Sequence, residues 1–212
     1  YTNNNFVMRI GTGDTTNVGI GTTDPSGKLD VVGIGTASVP TVDITCTSSG
    51  QFNHSINAFA PNLTAGENNL IVIGKAGSSK NAGYIGYKYS SSGSNSNLLT
   101  FGHWASDNLM NLTGDGKLGI GTISPDAIFH VAKANSGGVG GQIVIDNPAG
   151  STLGNSSEIS FLTDTGASGS GTRNARILVV NENASNGAAN MQFHTWNGSA
   201  SAERMRIFSD GD

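Results

Sequence analysis

Two stretches of nearly the same sequence lie 100 residues apart: residues 17–25 read Asn-Val-Gly-Ile-Gly-Thr-Thr-Asp-Pro, and residues 117–125 read Lys-Leu-Gly-Ile-Gly-Thr-Ile-Ser-Pro. A Met-led run precedes each stretch, and a short apolar run ending in valine follows it. Residues 203–212 resemble the opening of a third copy. The repeat period is therefore about 100 residues, which makes a repeated structure the first architecture to consider.

Each stretch is expected to form a compact collar, a name we use for residues 1–36, for residues 107–132 and, as a truncated third copy, for residues 203–212. The glycines on either side of a single isoleucine let backbones approach closely, so that one branched side chain per chain can fill a narrow axis. Threonine and proline then turn the chain outward, because proline cannot donate to a strand ladder. The residues expected to build the two complete collars are Gly19, Ile20, Gly21, Thr22, Pro25, Gly119, Ile120, Gly121, Thr122 and Pro125.

Between the collars lie two segments, residues 37–106 and 133–202, which we call the first and the second module. Both contain short runs suited to strands, broken by clusters of Gly, Ser and Asn. No helical repeat of apolar residues persists for three turns. The chain is therefore predicted to be all-β with short strands and many turns. The predicted strands are 41–46, 69–73, 84–89, 97–101, 142–146, 158–162, 175–181 and 191–195.

The composition is polar but weakly charged, since Gly, Ser, Thr and Asn make up 98 of the 212 residues and charged residues only 12%. Short strands with one apolar position in two cover a thin core and leave sheet edges open. Repeats can remedy this by stacking along one chain as a solenoid, or identical chains can share a core around a common axis. The Gly-Ile-Gly-Thr stretches favour the shared core, and glycine-rich hairpins in a monomer are the alternative.

Charge and hydropathy argue against several partners. The chain has 11 basic and 15 acidic residues and no basic cluster, which disfavours nucleic acid. No run approaches the roughly 18 apolar residues of a membrane span, so membrane insertion is not expected. The single cysteine, Cys46, can form neither an internal disulfide nor a metal cluster. The first residues resemble neither a start methionine nor a signal peptide, so we expect a mature or excised segment.

No motif points to catalysis, to a cofactor or to a metal ion. The histidines stand at least 27 residues apart, so none pairs with another at ligand spacing; they are His54, His103, His130 and His194. The glycine-rich stretches lack the spacing of a phosphate-binding loop, and residues 166–170 fail the nucleophile-elbow pattern at their last position. No local pattern marks a glycosidase pair of carboxylates. The chain is therefore predicted not to be an enzyme and to need no cofactor.

Four aromatic residues are candidate glycan contacts: Tyr87, Tyr89, Trp104 and Trp196. The two tyrosines are two residues apart and so share one face of a strand, whereas the tryptophans stand beside predicted loops. Exposed Tyr and Trp rings suit sugars, because the ring stacks on C–H surfaces while its polar group forms hydrogen bonds. The alternative is that these rings pack a narrow core or cover sheet edges.

The run of Met-Arg-Ile, turn residues, Val-Gly-Ile-Gly-Thr-Thr-x-Pro and Lys-Leu-Asp-Val in residues 8–31 resembles the recurring segment of bacteriophage tail-fibre proteins. Similar segments occur in other viral and bacterial surface fibres. Residues 110–131 follow the pattern with departures at Asn111, Lys117, Ile123 and 128–130, and the matching segments cover about a quarter of the chain. The resemblance implies an elongated, β-rich homotrimer on a virion surface or outside a cell, which often recognises glycans.

The sequence thus favours a structural and adhesive segment of a trimeric viral fibre that spaces and presents host-surface binding. Its expected partners are further copies of the same chain and host-surface glycans. Two alternatives stay open. One is a cellular extracellular filament or adhesin built from the same repeat, and the other is a monomeric carbohydrate-binding β-solenoid.

Overall fold

The structure is a computed structural model that describes residues 8–10, 17–33, 35, 40–45, 47, 55–150, 152–162, 175–183, 185–197 and 200–211. The described residues form strands, turns and loops and no helix. The prediction of an all-β fold is therefore confirmed. The chain divides into two compact units, Tyr1–Leu63 and Thr64–Asp212.

The described residues of the first unit form one small sheet, which we call the collar sheet. Its strands are β1 (Met8–Ile10), β2 (Val18–Ile20) and β3 (Leu29–Val31), in that order. Strand β2 pairs antiparallel with β1 and parallel with β3. The parallel pair is joined by residues 21–28 alone, although parallel connections usually need a dozen residues or more. This short connection sets the local geometry of the collar.

The second unit contains two sheets, in which neighbours along the chain are also neighbours in space. The six-stranded sheet consists of β4 (Asn68–Gly74), β5 (Ala82–Lys88), β6 (Leu98–His103), β7 (Ser106–Thr113), β8 (Leu118–Ile120) and β9 (Phe129–Val131). The four-stranded sheet consists of β10 (Ser156–Phe161), β11 (Ala175–Asn181), β12 (Ala189–Trp196) and β13 (Ser201–Ile207). All pairs are antiparallel except β8 with β9. The second collar therefore continues the sheet of the first module.

Six of the predicted strands are confirmed, each to within two residues: 69–73, 84–89, 97–101, 158–162, 175–181 and 191–195 lie on β4, β5, β6, β10, β11 and β12. The other two predictions are wrong, because residues 41–45 and 142–146 form no strand; Cys46 lies outside the described residues. Val144 is 75% exposed. A strand is stabilised by its cross-strand neighbours, so an apolar run without a paired neighbour does not become one.

Each module, together with the strand that leads into the collar after it (β7 or β13), forms a four-stranded antiparallel meander, and the two meanders repeat each other strand for strand. Both carry the same row of apolar residues, in which each residue stands directly opposite the next on the neighbouring strand. In the first meander the row is Ile71, Ile85, Phe101 and Met110. In the second it is Ile159, Ile177, Phe193 and Met205. In both, the register shifts just after the phenylalanine, so even the irregularity is repeated.

The buried residues of the six-stranded sheet lie on the face opposite this row. Apart from glycines, they are Ala82, Tyr84, Leu98, Thr100 and Asn111. Two large side chains on this face fold over glycines of the next strand. A Cβ on Gly102 would lie 2.4 Å from the Tyr84 ring, and one on Gly86 would lie 2.5 Å from Leu70. Part of this face, on β5 and β6, is thus covered by the chain's own side chains, whereas Val72 at its edge is 47% exposed.

Candidate assembly faces and polar face

The two collars share one hydrogen-bonded arrangement around the parallel connection. In the first collar, the N–H of Val32 donates to the carbonyl oxygen of Ile20 at 2.9 Å, and the N–H of Val18 donates to that of Lys28 at 2.8 Å. The second collar has the same two bonds between the residues 100 positions further on, both at 2.8 Å. The connection is therefore fixed at both of its ends by main-chain bonds.

The collar glycines are required by the backbone of the same chain. Gly21 and Gly121 have positive φ angles of 76° and 73°, which glycine adopts with little strain. A Cβ on Gly121 would lie 2.1 Å from the carbonyl oxygen of Ala132, and one on Gly119 would lie 2.4 Å from that of Thr122. The close approach that these glycines permit in this structure joins the strand to its own loop.

The threonine of each collar caps the turn that follows it. The hydroxyl of Thr22 accepts a hydrogen bond from the N–H of Asp24 at 3.2 Å, and Thr122 repeats this bond in the second collar at 3.1 Å. Pro25 is half-buried and Pro125 is buried. Both prolines lie in the connection rather than in a strand, where their missing N–H breaks no ladder.

A buried asparagine ties the second collar to the first module. Asn111 is fully buried, and its Nδ2 donates to the carbonyl oxygens of Thr122 at 2.9 Å and Asn108 at 2.8 Å. Its Oδ1 accepts from the hydroxyl of Thr100, which is also fully buried, at 2.8 Å. Asn111 is one of the positions at which the second collar departs from the fibre pattern. The departure thus has a structural role that sequence reasoning missed.

The open face of the six-stranded sheet is apolar across every strand, and we call it the first apolar face. One cross-strand row consists of Ile71, Ile85, Phe101, Met110, Ile120 and Val131. The adjacent row consists of Asn69, Tyr87, Leu99, Leu112, Leu118 and Phe129. Neither row contains a charged residue, and Ile71 is 53% exposed. Large continuous apolar surfaces of this kind mark interaction sites.

The four-stranded sheet has a matching open surface, the second apolar face. Its first row is Ile159, Ile177, Phe193 and Met205, and the adjacent row is Ser157, Val179, Met191 and Ile207. Again neither row is charged. Met205 is 54% exposed and Ile159 is 48% exposed. The row of isoleucine, isoleucine, phenylalanine and methionine that both meanders share is therefore partly exposed to solvent in the second as well.

The two predicted axis isoleucines occupy equivalent register positions. Ile120 stands between Met110 and Val131 within the first apolar face. Ile20 has the corresponding position in the collar sheet and is 40% exposed. Each collar thus places its isoleucine in a row of apolar residues.

The other side of the four-stranded sheet, which we call the polar face, carries a connected network. Arg176 lies 3.3 Å from the carboxylate of Glu158 and 3.4 Å from Nδ1 of His194. Because a guanidinium only donates, Nδ1 accepts, and the imidazole proton sits on Nε2 and is donated to Oε1 of Gln192 at 2.9 Å. Burial and then the charge of Arg176 lower the pKa of His194. The ring is therefore neutral at neutral pH.

A second group of charges completes the polar face. The guanidinium of Arg206 donates to both carboxylate oxygens of Glu203, at 3.0 and 2.6 Å, and lies 3.9 Å from Glu182. Glu182 also accepts from Nδ2 of Asn190 at 2.7 Å. The hydrogen bond from Arg206 lowers the pKa of Glu203. Each guanidinium of the face is thus paired with a carboxylate.

The four aromatic candidates do not form one site. Tyr87 stands in the first apolar face, and Tyr89 follows directly after β5. Trp104 lies in the β6–β7 hairpin, where its main-chain N–H donates to the carbonyl oxygen of Ala82. Ala82 begins β5 and is separated from Tyr87 by a strand length of roughly 17 Å. Trp196 ends β12 in the four-stranded sheet. Of these residues, Trp196 alone adjoins the polar face.

The remaining chemistry-bearing residues do not cluster. His54 lies outside the described residues, as does Cys46. Within the described ranges, no group of three or more His, Cys, Asp or Glu residues could hold a metal ion. In that same part of the chain, no helix has the length and apolarity needed to cross a membrane.

In comparisons with known proteins, no protein-family model matches the chain and no curated protein matches it.

Proposed function

We propose that this chain is a structural and adhesive segment of a trimeric viral fibre of the phage tail type, with its apolar faces covered by further copies of itself. The observation that carries the proposal is the pair of open apolar faces. They expose the same row of isoleucine, isoleucine, phenylalanine and methionine in both meanders.

The isolated chain buries little apolar surface. Among the described residues, the buried apolar side chains are Ala82, Tyr84, Leu98 and Leu178. Removing apolar surface from water contributes about 25 cal/mol per Å², and most of the apolar side chains of these sheets keep a third or more of their surface exposed. Covering the apolar faces by association would supply the core that one chain lacks.

A further copy of the same chain fits these faces better than a charged partner. Their rows contain no charged residue. A charged partner surface would therefore find no ion pair there, and its charges would have to be desolvated. A copy brings apolar rows of the same width and residue types. The number of copies, three, and the fibre context come from the resemblance of residues 8–31 to tail-fibre segments.

Assembly and adhesion would use opposite sides of the same sheets. Successive side chains of a strand point to opposite faces, so covering the second apolar face leaves the polar face in water. The segment can therefore be both a spacer, through its apolar faces, and a binding surface, through its polar face.

The test is the mass of the chain in solution, measured by light scattering, together with its shape from sedimentation velocity. The expected result is three times 21.6 kDa with the high frictional ratio of an elongated particle. A compact monomer at every concentration would overturn the proposal and favour the β-solenoid alternative. A stable dimer would overturn the trimeric arrangement while leaving self-association in place.

A further inference from the structure

We propose that the polar face binds an uncharged saccharide, with the ring of Trp196 as its stacking surface. This inference assigns a site and a ligand class to the adhesive part of the proposed function, and it rests on that part. The two modules build the same meander but differ on the face opposite the shared apolar row.

The charged network is not needed to build the sheet. The first module forms the same four strands with Tyr84 and Gly86 on β5, where the second has Arg176 and Leu178. It has Thr100 and Gly102 on β6, where the second has Gln192 and His194. Partly buried charges are costly unless well paired and contribute little to stability when paired at a surface. The network is therefore better explained by recognition than by folding.

Unsatisfied polar atoms concentrate on this sheet. Among the described residues, the buried side-chain nitrogen and oxygen atoms without a hydrogen-bond partner are Nε of Arg176, Oδ1 of Asn190 and Oγ of Ser201. Asn190 is 3% exposed. By strand alternation, Arg176 and Asn190 lie on the polar face, and Ser201 stands directly opposite Trp196. Native proteins rarely leave such atoms unpaired, and ligand hydroxyls, or waters that these hydroxyls hold, can satisfy them.

Trp196 supplies the apolar contact at the edge of this surface. It alternates with His194 and Gln192 along β12, which places the three side chains on one side of the strand. The Nε2 of His194 donates to Gln192 on that side, in agreement with this alternation. Trp196 is half-buried, so part of its ring faces solvent. An aromatic ring beside a hydrogen-bonding surface is the arrangement that suits a sugar.

The pairing of charges selects an uncharged ligand. Both guanidiniums are already bound to carboxylates, Arg176 to Glu158 and Arg206 to Glu203. Glu182 adds a further carboxylate, so among the described residues of this face the carboxylates outnumber the guanidiniums, which disfavours an anionic sugar. Hydroxyl groups donate and accept, and they can use the lone pairs and N–H groups that remain on this network.

The experiment uses the whole chain in its assembled form on an array of neutral oligosaccharides of glucose, galactose, mannose and N-acetylglucosamine, with sialylated and sulfated counterparts. Neutral glycans are expected to bind and the acidic counterparts to bind more weakly. The best neutral binder is then titrated by calorimetry against the wild type and three variants: Trp196→Ala, Trp196→Phe and Trp104→Ala.

Trp196→Ala is expected to weaken binding at least tenfold, and Trp196→Phe to recover most of the loss because it keeps an aromatic face. Trp104→Ala is the matched control, since Trp104 follows the row phenylalanine by three residues in the first module just as Trp196 does in the second. It should leave the affinity unchanged. Thermal unfolding and mass are measured for each variant, so that a loss of folding or assembly is recognised separately.

Three results would overturn the proposal: no glycan bound by a correctly assembled wild type, binding of acidic glycans alone, or equal losses in Trp104→Ala and Trp196→Ala. A trimer that binds no glycan would refute this site and leave the assembly proposal standing. A monomer that binds neutral glycans through Trp196 would do the opposite.

Discussion

The side-chain amide of Asn111 donates to the main-chain carbonyl oxygen of Thr122 across 2.9 Å, and this bond joins β7, the last strand of the first meander, to the turn of the second collar. The same amide also holds Asn108, and its oxygen accepts from Thr100. One buried side chain therefore sets the position of the collar turn against the sheet that precedes it.

Asn111→Ala is expected to destabilise the protein by about 3 kcal/mol, because it leaves two carbonyl oxygens and one hydroxyl without their partner. Chemical denaturation measures the loss, and hydrogen exchange at residues 119–122 should accelerate. Thr100→Val is the matched control. It removes one of the three bonds while keeping the volume, so it should cost clearly less. Equal losses in the two variants would contradict the central role of Asn111.

Gly121→Ala and Gly116→Ala separate backbone strain from steric exclusion. Both glycines have positive φ, 73° and 85°, so alanine costs about 1–2 kcal/mol at either position through its left-handed conformation. At Gly121 the new Cβ would also lie 2.1 Å from the carbonyl oxygen of Ala132, whereas nothing lies within 4 Å at Gly116. Gly121→Ala should therefore cost at least about twice as much, as measured by thermal unfolding. Similar losses of stability in the two variants would show that the collar connection can shift away from the new Cβ at little cost in free energy.

Ile71→Asp and Val72→Asp test which side of the six-stranded sheet is covered in the assembly. The two residues are neighbours on β4 with similar exposure, 53% and 47%, but Ile71 belongs to the first apolar face and Val72 to the opposite one. An aspartate buried without a partner costs about 3–5 kcal/mol, so Ile71→Asp should dissociate the trimer. Val72→Asp should leave its mass unchanged. The reverse pattern by light scattering would place the interface on the other side.

Ile20→Asp and Ile120→Asp test the collars as parts of the shared core. If each isoleucine lies near a common axis, the substitution brings three like charges together in an apolar setting. Each variant should then lose the trimeric mass at low protein concentration. An intact trimer in both variants would refute this placement, even if Ile71→Asp dissociates.

Acidification is expected to destabilise the four-stranded sheet through His194. Burial and the charge of Arg176 lower the pKa of His194 in the folded protein, so the unfolded chain binds the proton first as the pH falls. Stability therefore decreases from about pH 6.5 downward. The change of stability is measured as the urea midpoint of unfolding at a series of pH values. Unfolding is followed by Trp196 fluorescence in a Trp104→Phe background. His194→Gln removes the titrating group and should flatten the dependence above about pH 5. If stability depends on pH as steeply in His194→Gln as in the wild type, other groups cause the dependence.

The sequence predicts the strands of the two meanders because their alternation and turn residues are local signals. It fails at residues 142–146, where the same apolar pattern has no neighbouring strand, since pairing is decided by the rest of the chain. It also misses that the modules repeat each other. The spacing between equivalent residues grows from 88 at Ile71 and Ile159 to 95 at Met110 and Met205, and only strand register aligns them.

The residues of the polar face could not be grouped into one site from the sequence. Residues Glu158, Arg176, His194 and Glu203 are scattered over 45 positions of the sequence, and no spacing rule connects them. Antiparallel pairing places them side by side, as in the pairs of Arg176 with His194 and of His194 with Glu203. Trp196 was identifiable from its residue type alone, but its neighbours were not.

The partial covering of one face of the six-stranded sheet, with Tyr84 over Gly102 and Leu70 over Gly86, also bears on solubility. A sheet that is apolar on both sides can stack without limit, as the layers of an amyloid fibril do. In the six-stranded sheet these glycines let Tyr84 and Leu70 cover part of the second side, so most of the surface suited to stacking lies on the first apolar face. Face-to-face stacking is therefore expected to stop after two layers, which would lower the tendency of the protein to precipitate.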